Sequence, residues 1–150
     1  MLLAVIVLSA CAKKTEENQD TDADSTALSE SVNVENDANC FAYQAKGDSA
    51  FMKMTITDGV VAGDLSYALA EKDKNKGTID GKLIGDTLLV NYKFMSEGVE
   101  STREAAFLKK GNDWVEGFGP VEEKQGAMHF KDRSKLNFDN GLTFKAVDCN

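Results

Sequence analysis

The sequence has few of the residues on which most catalytic and metal sites depend. It contains one histidine, His129, and three cysteines, none of which forms a CxxC pair. Nucleophilic catalysis requires a nucleophile and a base that converge on one point. No serine or cysteine of this chain has a sequence context that marks it as such a nucleophile. We therefore expect a protein that is not an enzyme and that holds neither a metal nor a cofactor.

Basic residues are in the minority. The chain has 17 Lys and Arg against 25 Asp and Glu, which gives a formal net charge of −8. No basic patch indicates nucleic acid as a partner. Residues 12–39 carry most of the negative charge, contain no aromatic residue and have few large apolar residues. Such a segment buries too little surface to offset its ordering entropy, so we predict a disordered acidic tether over residues 11–39.

A long hydrophobic run is also missing. The uncharged N-terminal run, residues 1–10, would rise about 15 Å as a helix, which is half a bilayer core and too short to span it. Its length and composition are those of a signal-peptide core, although no Lys or Arg precedes it. One alternative is an ordinary N-terminal helix with a buried cysteine.

The end of this run, Leu8-Ser9-Ala10-Cys11, resembles the lipobox of bacterial lipoprotein precursors. In that family, cleavage before the cysteine is coupled to lipidation of its sulfur. The resemblance implies that residues 1–10 are a signal peptide and that Cys11 carries acyl chains such as palmitate. Two or more such chains hold a protein stably at a membrane, so Cys11 is the predicted anchor.

The two remaining cysteines, Cys40 and Cys149, stand at the two ends of the expected folded part, residues 40–150. In an exported protein, two such cysteines are expected to pair. The alternative is a two-cysteine metal or redox site. A disulfide would bring the first and last strands together, as a closed sheet requires.

From Cys40 onward, short alternating runs are separated by turn pairs such as Asp-Gly and Gly-Asp, and the chain has a single proline. This pattern is typical of an all-β domain, an antiparallel meander of about 8–10 strands. With one apolar face, it must close into a small lipocalin-like barrel or fold into a sandwich. The predicted strands are 41–46, 50–57, 60–70, 77–84, 87–95, 102–109, 113–119, 127–131, and 135–147 as a final hairpin or bent pair.

Two-residue turns fix which residues face each other. The turns at 58–59, 85–86 and 125–126 give the following opposite pairs: Ile56 and Val61, Met54 and Gly63, Met52 and Leu65; Leu83 and Leu88, Gly81 and Val90, Ile79 and Tyr92; Val121 and Phe130. At Asn140-Gly141 a two-residue turn would mix the faces. We therefore predict a three-residue loop with Gly141 left-handed, which sets Phe138 opposite Leu142 and Leu136 opposite Phe144.

Residues 101–110 contain a capping box and good helix formers, but they lie between strand-like runs, and we predict a strand. If 111–112 is the next turn, Leu108 pairs with Val115, and Trp114 and Phe118 take the other face. The two aromatics then form either an exposed binding patch or part of the core. The loop 95–103, with Glu97, Glu100 and Arg103, is a candidate for recognition and also fits an ordinary solvated turn.

The chain is also similar to a group of small lipoproteins of Bacteroidota-type bacteria that have no assigned activity. The segments 85–92, 94–98 and 106–111 carry the similarity. It implies an outer-membrane location, periplasmic or surface-exposed. We expect a binding module for a small ligand or an envelope component, with inward Tyr67 and Tyr92 compatible with either a hollow or a filled barrel. The alternative is a protein–protein interaction module, namely an inhibitor, a sensor or a subunit of a complex.

Overall fold

The computed structural model describes residues 38–72 and 74–149. The predicted signal peptide, the lipidated Cys11 and the tether up to residue 37 lie outside the described residues. Within the described ranges, no helix is long and apolar enough to cross a membrane.

These residues form ten β-strands and one short 3-10 helix. The strands are β1 (Asn39–Ala45), β2 (Asp48–Thr57), β3 (Val60–Ala68), β4 (Asn75–Ile84), β5 (Thr87–Ser96), β6 (Val99–Lys110), β7 (Asp113–Gly117), β8 (Val121–Lys124), β9 (Ala127–Phe130) and β10 (Thr143–Val147). The 3-10 helix covers Arg133–Lys135. The segment 101–110 lies within β6, so its predicted strand is confirmed and the helix that its capping box favoured does not form.

Eight strands close into an antiparallel barrel in the order β1, β2, β3, β4, β5, β6, β7, β10 and back to β1. The predicted all-β meander is confirmed, and of its two possible closures the barrel is the correct one. A disulfide joins Cys40 to Cys149, with Cα atoms 5.3 Å apart. It lies where β1 meets β10, so the predicted pairing and the meeting of the first and last strands are both confirmed.

The two-residue turns place the strands in register as predicted. Every pairing derived from the turns at 58–59, 85–86, 111–112 and 125–126 is present. Asp58 and Gly59 both have positive φ, whereas Gly85 alone does at its turn. These are the backbone requirements of type I′ and type II′ turns, whose twist matches that of the strands they join.

The predicted final hairpin over 135–147 is wrong. The chain instead forms the 3-10 helix and a loop, and only β10 is a strand there. Phe138 does not face Leu142, and Gly141 does not have positive φ. A Cβ built on Gly141 would collide with the backbone carbonyl oxygen of Glu116. This glycine is needed for close approach, because the Glu116 N–H donates to the Leu142 carbonyl at 2.9 Å.

The excursion between β7 and β10 covers part of the outer face of the barrel. β9 continues the sheet beside β6 through one pairing, Arg103 with Met128. The ring of Phe138 lies against Gly117 on the outer face of β7. The Glu104 carboxylate accepts hydrogen bonds from the Phe130 N–H and from the Arg133 guanidinium. Ala106 and Val115 are therefore buried although they point outward.

The middle of the barrel is filled by side chains. They are buried and form one cluster: Phe41, Ala50, Met52, Met54, Val61, Leu65, Tyr67, Ile79, Leu88, Val90, Tyr92, Ala105, Phe107, Trp114 and Phe144. Space remains at the two ends. A recess of about 500 Å³ lies at the end that carries the disulfide, and one of about 480 Å³ lies at the opposite end.

A candidate binding recess at one end of the barrel

The recess opposite the disulfide, which we call the Arg103 recess, is the candidate functional site. It lies where β3 ends, β4 begins and β5 ends, and the segment before β10 closes its side. Twelve residues line it: Asp48, Tyr67, Leu69, Ala70, Lys72, Asn75, Phe94, Arg103, Glu116, Phe118, Asn140 and Leu142.

Strand register brings two opposite charges to the floor of this recess. Arg103 of β6 faces Tyr92 of β5, and Glu116 of β7 faces Phe107 of β6. Since Tyr92 and Phe107 fill the core, their partners on the same face also point inward. Because β6 and β7 are neighbouring strands, the long Arg103 side chain reaches Glu116 along the inner face, with a guanidinium Nη2 to carboxylate Oε1 distance of 3.6 Å.

The Glu116 carboxyl group is buried and only half satisfied. Its side chain is 3% exposed, and the Tyr67 hydroxyl donates a hydrogen bond to Oε1 at 2.9 Å. Its other oxygen, Oε2, has no hydrogen-bond partner among the described residues. Burial raises the pKa of Glu116, while the Arg103 charge and the Tyr67 hydrogen bond act in the opposite direction. A proton on this carboxyl group is therefore held more tightly than on a solvated glutamate.

The Arg103 guanidinium lies against two aromatic rings, and most of its N–H donors have no hydrogen-bond partner among the described residues. Its Cζ is 5.4 Å from the Tyr67 ring centroid and 5.6 Å from that of Tyr92. At these distances, cation–π attraction to both rings holds the planar guanidinium in place. The side chain is 36% exposed, so the guanidinium reaches the open part of the recess. Of its five N–H donors, only one nitrogen approaches Glu116, and at a distance beyond a good hydrogen bond.

The two tyrosines of the floor remain neutral at physiological pH. Burial raises the pKa of Tyr92 to about 12, with Arg103 opposing the shift. For Tyr67, burial and the nearby Glu116 raise the pKa well above its ordinary value. The Tyr92 hydroxyl lies 2.7 Å from Asn75 Oδ1 and 3.0 Å from the Leu65 carbonyl oxygen, and it donates to one of them at a time. The floor is thus a fixed network.

The walls of the recess are mostly apolar. Leu69, Phe94 and Leu142 pack against the core cluster, and Phe94 stacks on Tyr92 with ring centroids 4.7 Å apart. Phe118 is the exposed part of the wall, with 47% of its surface accessible. Apolar walls around a few converging polar groups are the usual composition of a small-molecule site.

The structure disperses the five binding residues that the sequence singled out. Arg103 lies on the floor of the recess and Phe118 on its wall. Trp114 is 3% exposed and packs edge-on against Phe41, nearer the opposite end of the barrel. It therefore joins the core, and the alternative of an exposed patch shared with Phe118 does not form.

Glu97 and Glu100 lie away from the recess. Glu97 occupies a left-handed position in the turn between β5 and β6, where φ is 50°. Glu100 is on the outer surface and pairs with Lys93 at 3.1 Å. The loop around them reads as an exposed hairpin end, and of its charged residues only Arg103 turns into the barrel.

Sequence reasoning did not single out Glu116, although a signal was present. The turn at 111–112 sets Leu108 opposite Val115, so the next residue on each strand, Phe107 and Glu116, also face each other. Glu116 alternates with Trp114 and shares its inward face. A carboxylate on the core face of a strand is unusual enough to nominate a site.

A second cluster of charged groups lies outside the barrel around Glu104. His129 Nδ1 is 3.5 Å from Glu104 Oε1, which Arg133 also contacts. Burial raises the pKa of Glu104, but the Phe130 N–H and Arg133 outweigh it, and the net shift is downward. Both carboxylate oxygens accept hydrogen bonds, and these bonds hold the β8–β9 hairpin to the barrel. The Glu104 cluster is therefore a structural contact. Among the residues the structure describes, no three His, Cys, Asp or Glu side chains are placed to hold a metal ion.

A scan against protein-family models, a search of curated proteins and a search of solved structures each returned no match.

Proposed function

We propose that this chain is a lipid-anchored envelope protein whose barrel binds a small amphipathic ligand in the Arg103 recess. The observation that carries the proposal is the floor of the recess. There a buried carboxyl oxygen, Glu116 Oε2, has no partner among the described residues, beside a guanidinium whose donors are largely unused.

Such a floor is costly unless something completes it. A buried polar atom that lacks a hydrogen bond costs about 1–3 kcal/mol, and more when it is charged. A filled core of hydrocarbon in place of Arg103 and Glu116 would avoid this cost, and ion pairs of this kind are often neutral or unfavourable for stability. A ligand head group that pairs with the floor, and whose apolar part lies on Phe94, Phe118 and Leu142, accounts for both the charges and the walls.

The envelope location rests on the lipobox-like segment ending at Cys11. Lipidation there would leave the folded domain at the end of a tether of about thirty residues, long enough to present the barrel away from the membrane surface. Growth with an alkyne-labelled palmitate analogue tests this directly. The wild-type chain should take up the label and Cys11→Ser should not; a labelled Cys11→Ser chain would contradict the assignment.

Ligand binding is tested by native mass spectrometry of the full chain purified from its own host in mild detergent. We expect a bound mass that denaturation releases. Ala70→Trp places an indole in the mouth of the recess, because Ala70 is exposed and lines it. The matched control is Ala62→Trp, which puts the same group on the outer face of β3 opposite Thr55. The bound mass should disappear in the first variant and persist in the second.

The alternative is a protein partner that docks on the rim through Phe118. A chain that carries no releasable small mass, yet cross-links to another envelope protein from a photoreactive group at position 118, would favour that reading and overturn the small-ligand proposal. Equal retention of the bound mass in both tryptophan variants would move the ligand away from the Arg103 recess.

A further inference from the structure

Building on the proposed function, we infer that the ligand is a monoanionic amphiphile whose head group binds the Arg103 guanidinium as one proton from solvent adds to Glu116 Oε2. The protonated oxygen then donates a hydrogen bond to the same head group.

The sign of the ligand charge follows from which group it can reach. The Arg103 side chain is 36% exposed, whereas that of Glu116 is 3% exposed. A head group that enters the recess therefore meets the guanidinium first. A guanidinium presents paired N–H donors in a fork that matches the two oxygens of a carboxylate, sulfonate or phosphate ester. An ammonium head group would meet the positive charge instead.

Proton uptake by Glu116 is expected because two anionic groups would otherwise share one cation. A bound head group and an ionised Glu116 would share Arg103 in a region shielded from water, where like charges disfavour each other strongly. One added proton removes this repulsion and turns the unpartnered Oε2 into a donor. Burial already raises the pKa of Glu116, which lowers the cost of taking up the proton.

Among the described residues, the other titratable groups around the recess are two tyrosines on the floor and two charged residues at the rim. Tyr67 and Tyr92 are neutral on the floor, since burial raises the pKa of each. Asp48 lies at the rim on β2 and accepts a hydrogen bond from the Ala70 N–H at 2.6 Å. Lys72 lies at the same rim and carries the opposite charge. Within the part of the chain that the structure describes, Glu116 is the carboxyl group that contacts Arg103.

Three probes with one tail separate the head-group charges: decanesulfonate, 1-decanol and decyltrimethylammonium. Decanesulfonate is a strong acid and stays anionic at every pH used, so any titration belongs to the protein. Isothermal titration calorimetry is done on the full chain after any bound ligand has been removed. Of the three probes, decanesulfonate should have the highest affinity. Its affinity should fall between pH 5 and pH 8, approaching tenfold per pH unit where one proton is taken up. Two buffers of different ionisation enthalpy then count the protons.

Substitutions assign the two roles. Glu116→Gln replaces the carboxyl group with a neutral amide whose N–H can still donate a hydrogen bond. The affinity of this variant for decanesulfonate at pH 8 should therefore match that of the wild type at pH 5 and should no longer vary with pH. The matched control is Glu100→Gln on the outer surface, which should keep the wild-type pH dependence. In Arg103→Gln, the affinity for decanesulfonate should fall by a factor at least ten times larger than the affinity for 1-decanol does. Urea unfolding of each variant shows that it is folded.

The outcomes distinguish the inference from the proposed function. Decanesulfonate affinity that is equal at pH 5 and pH 8 in the wild type would overturn the proton uptake. Tighter binding of the alcohol or the ammonium in the Arg103 recess would overturn the anionic head group and leave the proposed function standing. If none of the probes binds and no ligand accompanies the purified chain, both proposals fail.

Discussion

Removal of the Cys40–Cys149 disulfide gives a quantitative test of how the bridge stabilises the barrel. The perturbation is Cys40→Ala with Cys149→Ala, because Cys40 is buried and alanine adds no polar atom there. The bridge closes a loop with a sequence separation of 109 residues. It also lies at one end of the β1–β10 seam, where only three residue pairs are in register.

The expected loss is about 3–4 kcal/mol. Chain entropy alone gives about 4.7 kcal/mol for a loop of a hundred residues, and residual structure in the unfolded chain reduces that figure. For a domain of this size, a loss of this kind lowers Tm by about 12–25 °C. The variant should also show a larger urea m-value than the oxidised chain, because its unfolded state is no longer held compact by the bridge.

Urea unfolding followed by tryptophan fluorescence measures both quantities. Trp114 is the single tryptophan and is buried in the barrel, so its emission reports loss of the core. A loss below about 1 kcal/mol, well under the range seen for native bridges, would refute the reasoning. So would a large loss with an unchanged m-value, since the effect would then lie in the folded barrel and not in the unfolded chain.

Two further perturbations test the packing around the Arg103 recess. Gly141→Ala should destabilise the chain by about 1–3 kcal/mol, because its Cβ would collide with the Glu116 carbonyl oxygen and force the loop before β10 off β7. Equal melting temperatures of the Gly141→Ala and wild-type chains would contradict the close approach. The pKa of Tyr92 is raised to about 12, so the stability it contributes is complete below the unfolded value near 10 and is lost as pH rises from about 10 to 12. Tyr92→Phe should therefore lose less stability than the wild type over that interval in urea titrations, and parallel losses would show that Tyr92 is not shifted.

The hairpins were predictable from the sequence because their information is local. A two-residue turn with glycine fixes the register of the strands it joins, and alternation then separates core from surface. The register of β2 with β3 and of β4 with β5 follows in full from Asp58-Gly59 and Gly85-Asp86. The cysteines at the two ends allowed one long-range contact to be predicted, the disulfide where β1 meets β10.

The segment before β10 was not predictable in the same way. Asn140-Gly141 has the composition of a hairpin turn, yet Gly141 is required there by a distant residue, since its lack of a Cβ admits the carbonyl group of Glu116. Local turn chemistry cannot anticipate a contact with β7. A related limit applies to the recess. Arg103 was named from its loop, but its contact with Glu116 joins residues that are not opposite each other in the β6–β7 register, so the turn at 111–112 does not predict it.

The central claim, that the Arg103 recess holds a ligand, is tested most directly by amide chemical shifts. The isotope-labelled full chain is titrated with whichever decyl probe binds most tightly. We expect shifts concentrated at Ala70, Phe94, Phe118 and Leu142, which line this recess. Shifts confined to Asn112 and Ala146, at the disulfide end, would place the ligand in the other recess and contradict the account.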